Sequence, residues 1–237
     1  MGPLVDVRAD GPVCVITLRR EEKLNALSTA LESAIGDALE TAQVRDAGSV
    51  VLTGAGRAFS AGADLNELGD RSPKAVHAYY ATTGRVYERV AALAQPTVSA
   101  IAGYCLGGGL ELALATDFRI ASEDAVFGFP EVGLGILPSS GGTERVTRLL
   151  GPARAKELIL LRSRIDAREA LAYGLVTEVV PAGAAQERAL AVAAELAGLP
   201  PLAAAVTKQA IDAVPETSRS AALLIERLAY GMLAQDE

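Results

Sequence analysis

Two acidic residues stand in apolar company: Glu111 within GGGLELALA and Glu131 within FGFPEVGLGIL. An ionised carboxylate is costly to bury without partners, so a chain that sets two of them among leucines, valines and glycines has a use for them. Two carboxylates beside donors for a negatively charged oxygen form a general acid and base acting on a carbonyl compound. Such donors are at hand in Gly107, Gly108 and Gly109. A helix that starts inside this triplet leaves backbone N–H groups unpaired, and glycines let a ligand approach them. Each feature also has a plainer reading. The glycines suit close packing of strand against helix, Glu111 in a first helical turn caps the dipole, and Glu131 can pair with an arginine such as Arg119 or Arg145. Leu110, Leu112 and Leu114 around Glu111 argue against a mere solvent-facing cap.

Competing motifs fail on spacing. AFSAG around Ser60 resembles a nucleophile elbow, but Ala58 replaces its first glycine, and its only candidate base is His77, in a helical stretch expected to be exposed. Gly54 and Gly56 lack a third glycine at position 59, which is Phe59, so the dinucleotide fingerprint is incomplete. No GK[ST] follows a glycine run, which removes the phosphate-binding loop. Cys14, Cys105 and His77 do not make a metal-ligand cluster, so no metal is expected.

The elements that must position the carboxylates are an alternation of strands and helices. VCVITL (13–18) and SVVLTG (49–54) read as strands, with a helix over 28–44 opened by a Ser/Thr cap and Glu32. A glycine- and alanine-rich loop follows over 53–68, then a helix over 73–94 and a buried strand over 97–103. GGGLELALA turns into a helix, and 117–122 and 125–129 return as strands. From Gly142 the pattern is helical, interrupted by LVTEVV (175–180). The expectation is an α/β core over 1–181 and a helical region over 182–237.

Composition bounds the partners. Of 237 residues, 50% are hydrophobic and 22% charged, which is globular composition with ample core. A net charge of -7 disfavours nucleic acid or an anionic membrane surface as the main partner. The 20 residues from Thr97 to Thr116 contain one charge, Glu111, but their β-branched opening and glycine run read as strand, turn and helix, not as a membrane span. Two cysteines read as reduced and buried, and MGPLVDVRADGP has no apolar leader, so a cytoplasmic location is expected.

TGAGRAFSAGADLNEL, IAGYCLGGGLELALATDFRIAS, FGFPEVGLGILPSSGGTERVTRLLG and IDAREALAYGLVTEVV, in this order, resemble the enoyl-CoA hydratase/isomerase (crotonase) family. The resemblance runs from about Val13 to Tyr230 and implies an α/β spiral of strand-strand-helix turns with a helical C-terminal region. It implies that the N–H groups of Ala63 and Gly108 form an oxyanion hole for a thioester carbonyl. Glu111 and Glu131 would then add water across the C2–C3 double bond of a 2-enoyl-CoA. Burial and mutual repulsion keep such a pair from double ionisation. Lys23 is implied near the CoA phosphates, and the Arg57 to Ala61 loop near the adenine. Asp64, Leu65, Gly107 and Ser139 are implied to complete the substrate site. Coenzyme A enters as part of the substrate, with no further cofactor, and the implied assembly is a homotrimer or a hexamer of two trimers.

Departures from the family pattern are local. Glu21 stands where many relatives have proline, and Phe129 where some hydratases have glutamine. Ser139 replaces a glycine whose N–H helps hold the water or its glutamate; a serine still offers that N–H, while its side chain can narrow the pocket. The sequence ends short of the last helix usual in relatives, with consequences for assembly and pocket closure. An enoyl-CoA isomerase shuttling a proton between C2 and C4, and a non-catalytic acyl-CoA-binding paralogue, are the alternatives; retention of both glutamates disfavours each. Acyl chain length is expected to be set by residues 69–85 and by the C-terminal part.

Overall fold

The computed structural model describes residues 2–67, 69 and 72–234. Leu68, which closes the glycine- and alanine-rich loop, Asp70 and Arg71, in the segment expected to shape the acyl end, Met1 and residues 235–237 lie outside the described residues.

Ten strands are described: β1 (Val5–Asp10), β2 (Val13–Leu18), β3 (Ser49–Gly54), β4 (Ala58–Ser60), β5 (Thr97–Ile101), β6 (Tyr104–Leu106), β7 (Phe118–Ser122), β8 (Val126–Gly128), β9 (Ile165–Asp166) and β10 (Glu178–Val180). They make two sheets, β1-β2-β3-β5-β7-β10 and β4-β6-β8-β9. Three successive turns of chain each give one strand to each sheet: β3 and β4, then β5 and β6, then β7 and β8. Within both sheets these neighbours pair in parallel, as in Val51 opposite Val98 and Cys105 opposite Phe127. That repetition is a spiral. The antiparallel partners β1 and β9 sit at edges.

The central strands of the larger sheet are covered on both faces, which is why they read as near-continuous apolar runs. Their alternate residues go to different cores. Cys14, Ile16, Leu18, Val50 and Leu52 join the main core, with α1 (Thr29–Leu39) packed there through Leu31, Ile35 and Leu39. Val13, Val15, Val51, Val98 and Ile120 face the other way.

The helix expected over 28–44 is broken. Ser28 caps α1, accepting from the N–H of Leu31, and α1 ends at Leu39; Thr41 then donates its hydroxyl to the Ala38 carbonyl and caps the short α2 (Ala42–Arg45). The helix expected over 73–94 breaks for a related reason. It divides into α3 (Pro73–Ala81) and α4 (Val86–Ala91) where the Thr82 hydroxyl bonds back to the Ala78 and Tyr79 carbonyls and competes with the helical ladder.

The 97–116 segment resolves into β5, β6 and α5 (Gly108–Leu114). No single helix among the described residues is long and apolar enough to cross a membrane.

Helices follow: α6 (Gly142–Leu160), bent at Gly151, then α7 (Ala167–Tyr173), α8 (Ala185–Ala197), α9 (Pro201–Ala213) and α10 (Arg219–Leu233). Ala185, Ala189 and Ala193 lie on one stripe of α8 and bury against Val13, Val51 and Val98. The boundary expected at 181/182 therefore divides the larger sheet from the helix that covers it.

Candidate active site

Glu111 is on α5 and Glu131 opens a single helical turn, Glu131–Leu134, directly after β8 and Pro130. β6 and β8 are adjacent parallel strands, so the two segments that leave their C-terminal ends emerge side by side. The Gly107 N–H donates to the Gly128 carbonyl and fixes that juxtaposition. Gly107 itself has φ of +52°, and a Cβ there would lie 2.5 Å from Oε1 of Glu131. Only glycine meets both demands. The triplet thus serves close packing and chemistry at once.

Both carboxyls are buried, with 4% of Glu111 and 9% of Glu131 exposed, and neither forms an ion pair among the described residues. The two arginines named as candidate partners of Glu131 are engaged elsewhere. Arg119 donates to the carbonyls of Leu175 and Thr116, and Arg145 pairs with Glu88.

The environments of the two acids differ. Oε1 of Glu111 accepts from the backbone N–H groups of Ser140 at 2.7 Å and Gly142 at 2.9 Å. Burial raises its carboxyl above the ordinary value, while those two donors and Arg145 pull it back. Glu131 has no comparable support, and its Oε2 has no hydrogen-bond partner among the described residues. Burial, with the charge of Glu111 adding to it, pushes Glu131 up to about 7. The pair is therefore split, with Glu111 the better carboxylate and Glu131 the better acid.

The oxyanion donors also come together. A parallel bridge joins Leu27 to Ala63 through the Gly62 carbonyl and the Asp64 N–H. That pattern turns the N–H of Ala63 itself away from Leu27. A Cβ on Gly108 would lie 3.6 Å from the Ala63 nitrogen, and one on Gly62 would lie 3.5 Å from the Gly108 nitrogen. Gly108 is the first residue of α5, where a helix has no internal acceptor for the N–H. Two donors without an acceptor among the described residues thus converge beside the two carboxyls.

The other expected site residues do not share one environment. Lys23 and Arg57 are exposed, and the Ala61 N–H to Leu24 carbonyl bond brings their two segments together on one surface. Leu65 is 63% exposed in the turn after Ala63. Asp64 is placed differently: its carboxylate accepts from the Asn66 N–H and pairs with Arg20 at 2.7 Å, which lowers it below its ordinary value and commits it to bracing the loop. Ser139 also departs from expectation. The donors on Glu111 are Ser140 and Gly142, one and three residues further on, whereas the exposed Ser139 hydroxyl accepts from Tyr80. The PSSGGT run held that signal in its paired glycines: a Cβ on Gly142 would lie 2.7 Å from Oε1 of Glu111.

Ser60 and His77 exclude the hydrolase. Ser60 is fully buried, donating to the Asn25 carbonyl, and His77 is exposed on α3. A cavity of about 1240 Å³ between α6 and α9, lined by Asp117, Lys208, Arg148 and apolar residues of α9, includes neither carboxyl.

A parallel spiral that presents an acid, a base and two amide donors at one point defines an acyl-transfer or acyl-modifying enzyme of the crotonase fold. The chain belongs to the enoyl-CoA hydratase/isomerase family, whose pattern matches residues 8–236. A Mycobacterium tuberculosis protein named "Probable enoyl-CoA hydratase" is 41% identical over 93% of this chain and 86% of its own length. Among solved structures, enoyl-CoA hydratase from Bacillus anthracis is 40% identical, with a TM-score of 0.89 over 96% of this chain and 90% of that one. A Thermobifida fusca protein crystallised with CoA is 29% identical, with a TM-score of 0.90 over 98% and 94%.

Proposed function

We propose that this protein hydrates 2-enoyl-CoA thioesters. The observation that carries the reading is the unequal pair: Glu111, whose Oε1 accepts from two backbone N–H groups, and buried Glu131, whose Oε2 has no partner among the described residues, both beside the N–H groups of Ala63 and Gly108. The thioester carbonyl accepts from those two donors, which favour the negative charge that develops on its oxygen as C3 is attacked. Glu111 takes a proton from water and the hydroxyl bonds to C3. The C2–C3 π electrons move toward the carbonyl, and Glu131 delivers a proton to C2. Water is added and no electrons are exchanged, so the reaction needs no cofactor beyond the CoA of the substrate.

Lys23 and Arg57 are exposed on hydrogen-bonded neighbouring segments and suit the phosphates and adenine of CoA. The CoA-bound Thermobifida fusca relative supports an acyl-CoA ligand. Self-association into a trimer or hexamer is supported by α10, where Leu224, Leu228 and Tyr230 are more than half exposed on a helix packed mainly against α9.

The test is loss of the conjugated enoyl-thioester absorbance with crotonyl-CoA and longer 2-enoyl-CoAs, together with product analysis on a 3-enoyl-CoA. Turnover of 2-enoyl-CoA that Glu111→Gln abolishes supports the reading. Isomerisation of the 3-enoyl-CoA without hydration, or tight CoA-ester binding without any product, would replace it.

A further inference from the structure

Glu32 is a buried acid that the reaction does not use. It lies on the inward face of α1 beside Leu31 and Ile35, is 3% exposed, and has no ion pair among the described residues. Instead, its Oε1 accepts from two phenols, Tyr79 on α3 and Tyr87 on α4, each at 2.7 Å. A leucine would fill such a position at lower cost, because a buried carboxyl without a cation is expensive even when hydrogen-bonded.

The two phenols lead in different directions. The Tyr87 hydroxyl lies 3.3 Å from where a Cβ on Gly108 would stand, and Tyr87 is wholly enclosed. The Tyr79 ring packs edge-on against Tyr80, with centroids 4.9 Å apart, and the Tyr80 hydroxyl donates to Ser139, next to the Ser140 whose N–H donates to Glu111. One carboxyl is therefore tied to both the oxyanion glycine and the strap that holds the catalytic base.

We propose that Glu32 is a positioning residue, which through Tyr87 and Tyr79 fixes Gly108 and Ser140 relative to each other and so sets the distance between the carbonyl site and Glu111. The proposal rests on the hydratase reading. Its physical basis is that rate depends steeply on the alignment of reacting groups, and a polar network that is fully satisfied holds one arrangement. Glu32 also acts on Glu111 through space. Tyr79, Tyr87 and Glu67 face Glu32, Tyr80 faces Tyr79, and Glu131 and Arg145 also face Glu111; the charge of Glu32 makes Glu111 harder to ionise.

The experiment compares wild type with Glu32→Gln, Tyr87→Phe, Tyr79→Phe and the Glu32→Gln/Tyr87→Phe double variant. Turnover of crotonyl-CoA, KM, the pH profile of kcat/KM and thermal melting are measured for each. Glu32→Gln is expected to lower kcat by roughly tenfold to a hundredfold with KM little changed. It should also move the acid limb of the profile to lower pH, because Glu111 then ionises more readily; a purely structural lesion would leave that limb in place. The double variant should lose no more than the worse single variant. Wild-type kcat and an unmoved acid limb in Glu32→Gln, or full additivity in the double, would overturn the proposal. Should Glu32→Gln fail to fold, the tyrosine variants decide, since unchanged kcat in Tyr87→Phe is incompatible with it. Wild-type turnover is measured first: its absence defeats the hydratase reading, whereas an active wild type matched by its variants defeats only this inference.

Discussion

Replacing Glu131 with glutamine separates its chemistry from its cost to the fold. Glutamine has the shape and neutrality of protonated glutamic acid but has no proton to give C2. General acid catalysis contributes about 10²- to 10⁴-fold, which corresponds to about 2.7 to 5.4 kcal/mol of barrier, and kcat for hydration should fall by that factor. Stability should move the other way. In the fold Glu131 is pushed from 4.5 up to about 7. Below about pH 4.5 it is protonated whether the chain is folded or not, and contributes no difference. As pH rises toward 7 the unfolded chain releases this proton while the folded one retains it, so wild type loses stability across that window and carries the full penalty above it. At about 1.36 kcal/mol per pKa unit the penalty is bounded near 3 kcal/mol, and solvent access to part of the group reduces it to about 1–2 kcal/mol. The variant should therefore melt higher than wild type at pH 8 by about 2–8 °C, and the gap should close at pH 4. Calorimetric melts at the two pH values and crotonyl-CoA kinetics are sufficient. A variant that keeps wild-type turnover, or that melts lower than wild type at pH 8, would refute the assignment of Glu131 as the buried acid.

The same asymmetry fixes the alkaline limb of hydration: kcat/KM should fall as pH rises through about 7, where Glu131 loses its proton, and a rate that keeps climbing to pH 9 would contradict it. Gly107→Ala should cost about 1–2 kcal/mol for its left-handed backbone alone, and lower kcat further because the new methyl meets Oε1 of Glu131; denaturant melts and kinetics check this. Lys23→Ala combined with Arg57→Ala should raise KM for CoA thioesters and weaken its salt dependence while kcat stays near wild type, as initial rates at two ionic strengths would show.

Much of this was legible because the motifs are compact. Gly107 to Glu111 and Pro130 to Gly135 each carry their chemistry within a few residues, and the β-branched runs of β2 and β3 declare strands buried on both faces. What stayed hidden depends on side chains meeting across the fold. Glu32 reads locally as an acid in a first helical turn, and nothing near it in sequence announces Tyr79 or Tyr87, 47 and 55 residues away. Ser140 and Gly142 were missed in favour of Ser139 because the paired glycines of PSSGGT announce a close approach without saying which N–H groups make it or to what. Short strands escaped as well: AFS in β4, YCL in β6 and ID in β9 are too brief for a period of two to emerge.

The alanine stripe of α8 has a bearing on biosynthesis. Val13, Val51 and Val98 emerge from the ribosome long before Ala185, Ala189 and Ala193 arrive to screen them. Until α8 follows, one side of the larger sheet is an oily plane with no lid, of the kind that chaperones grip and that sticks to neighbouring nascent chains. Maturation of this protein therefore waits on the thirteen residues of α8.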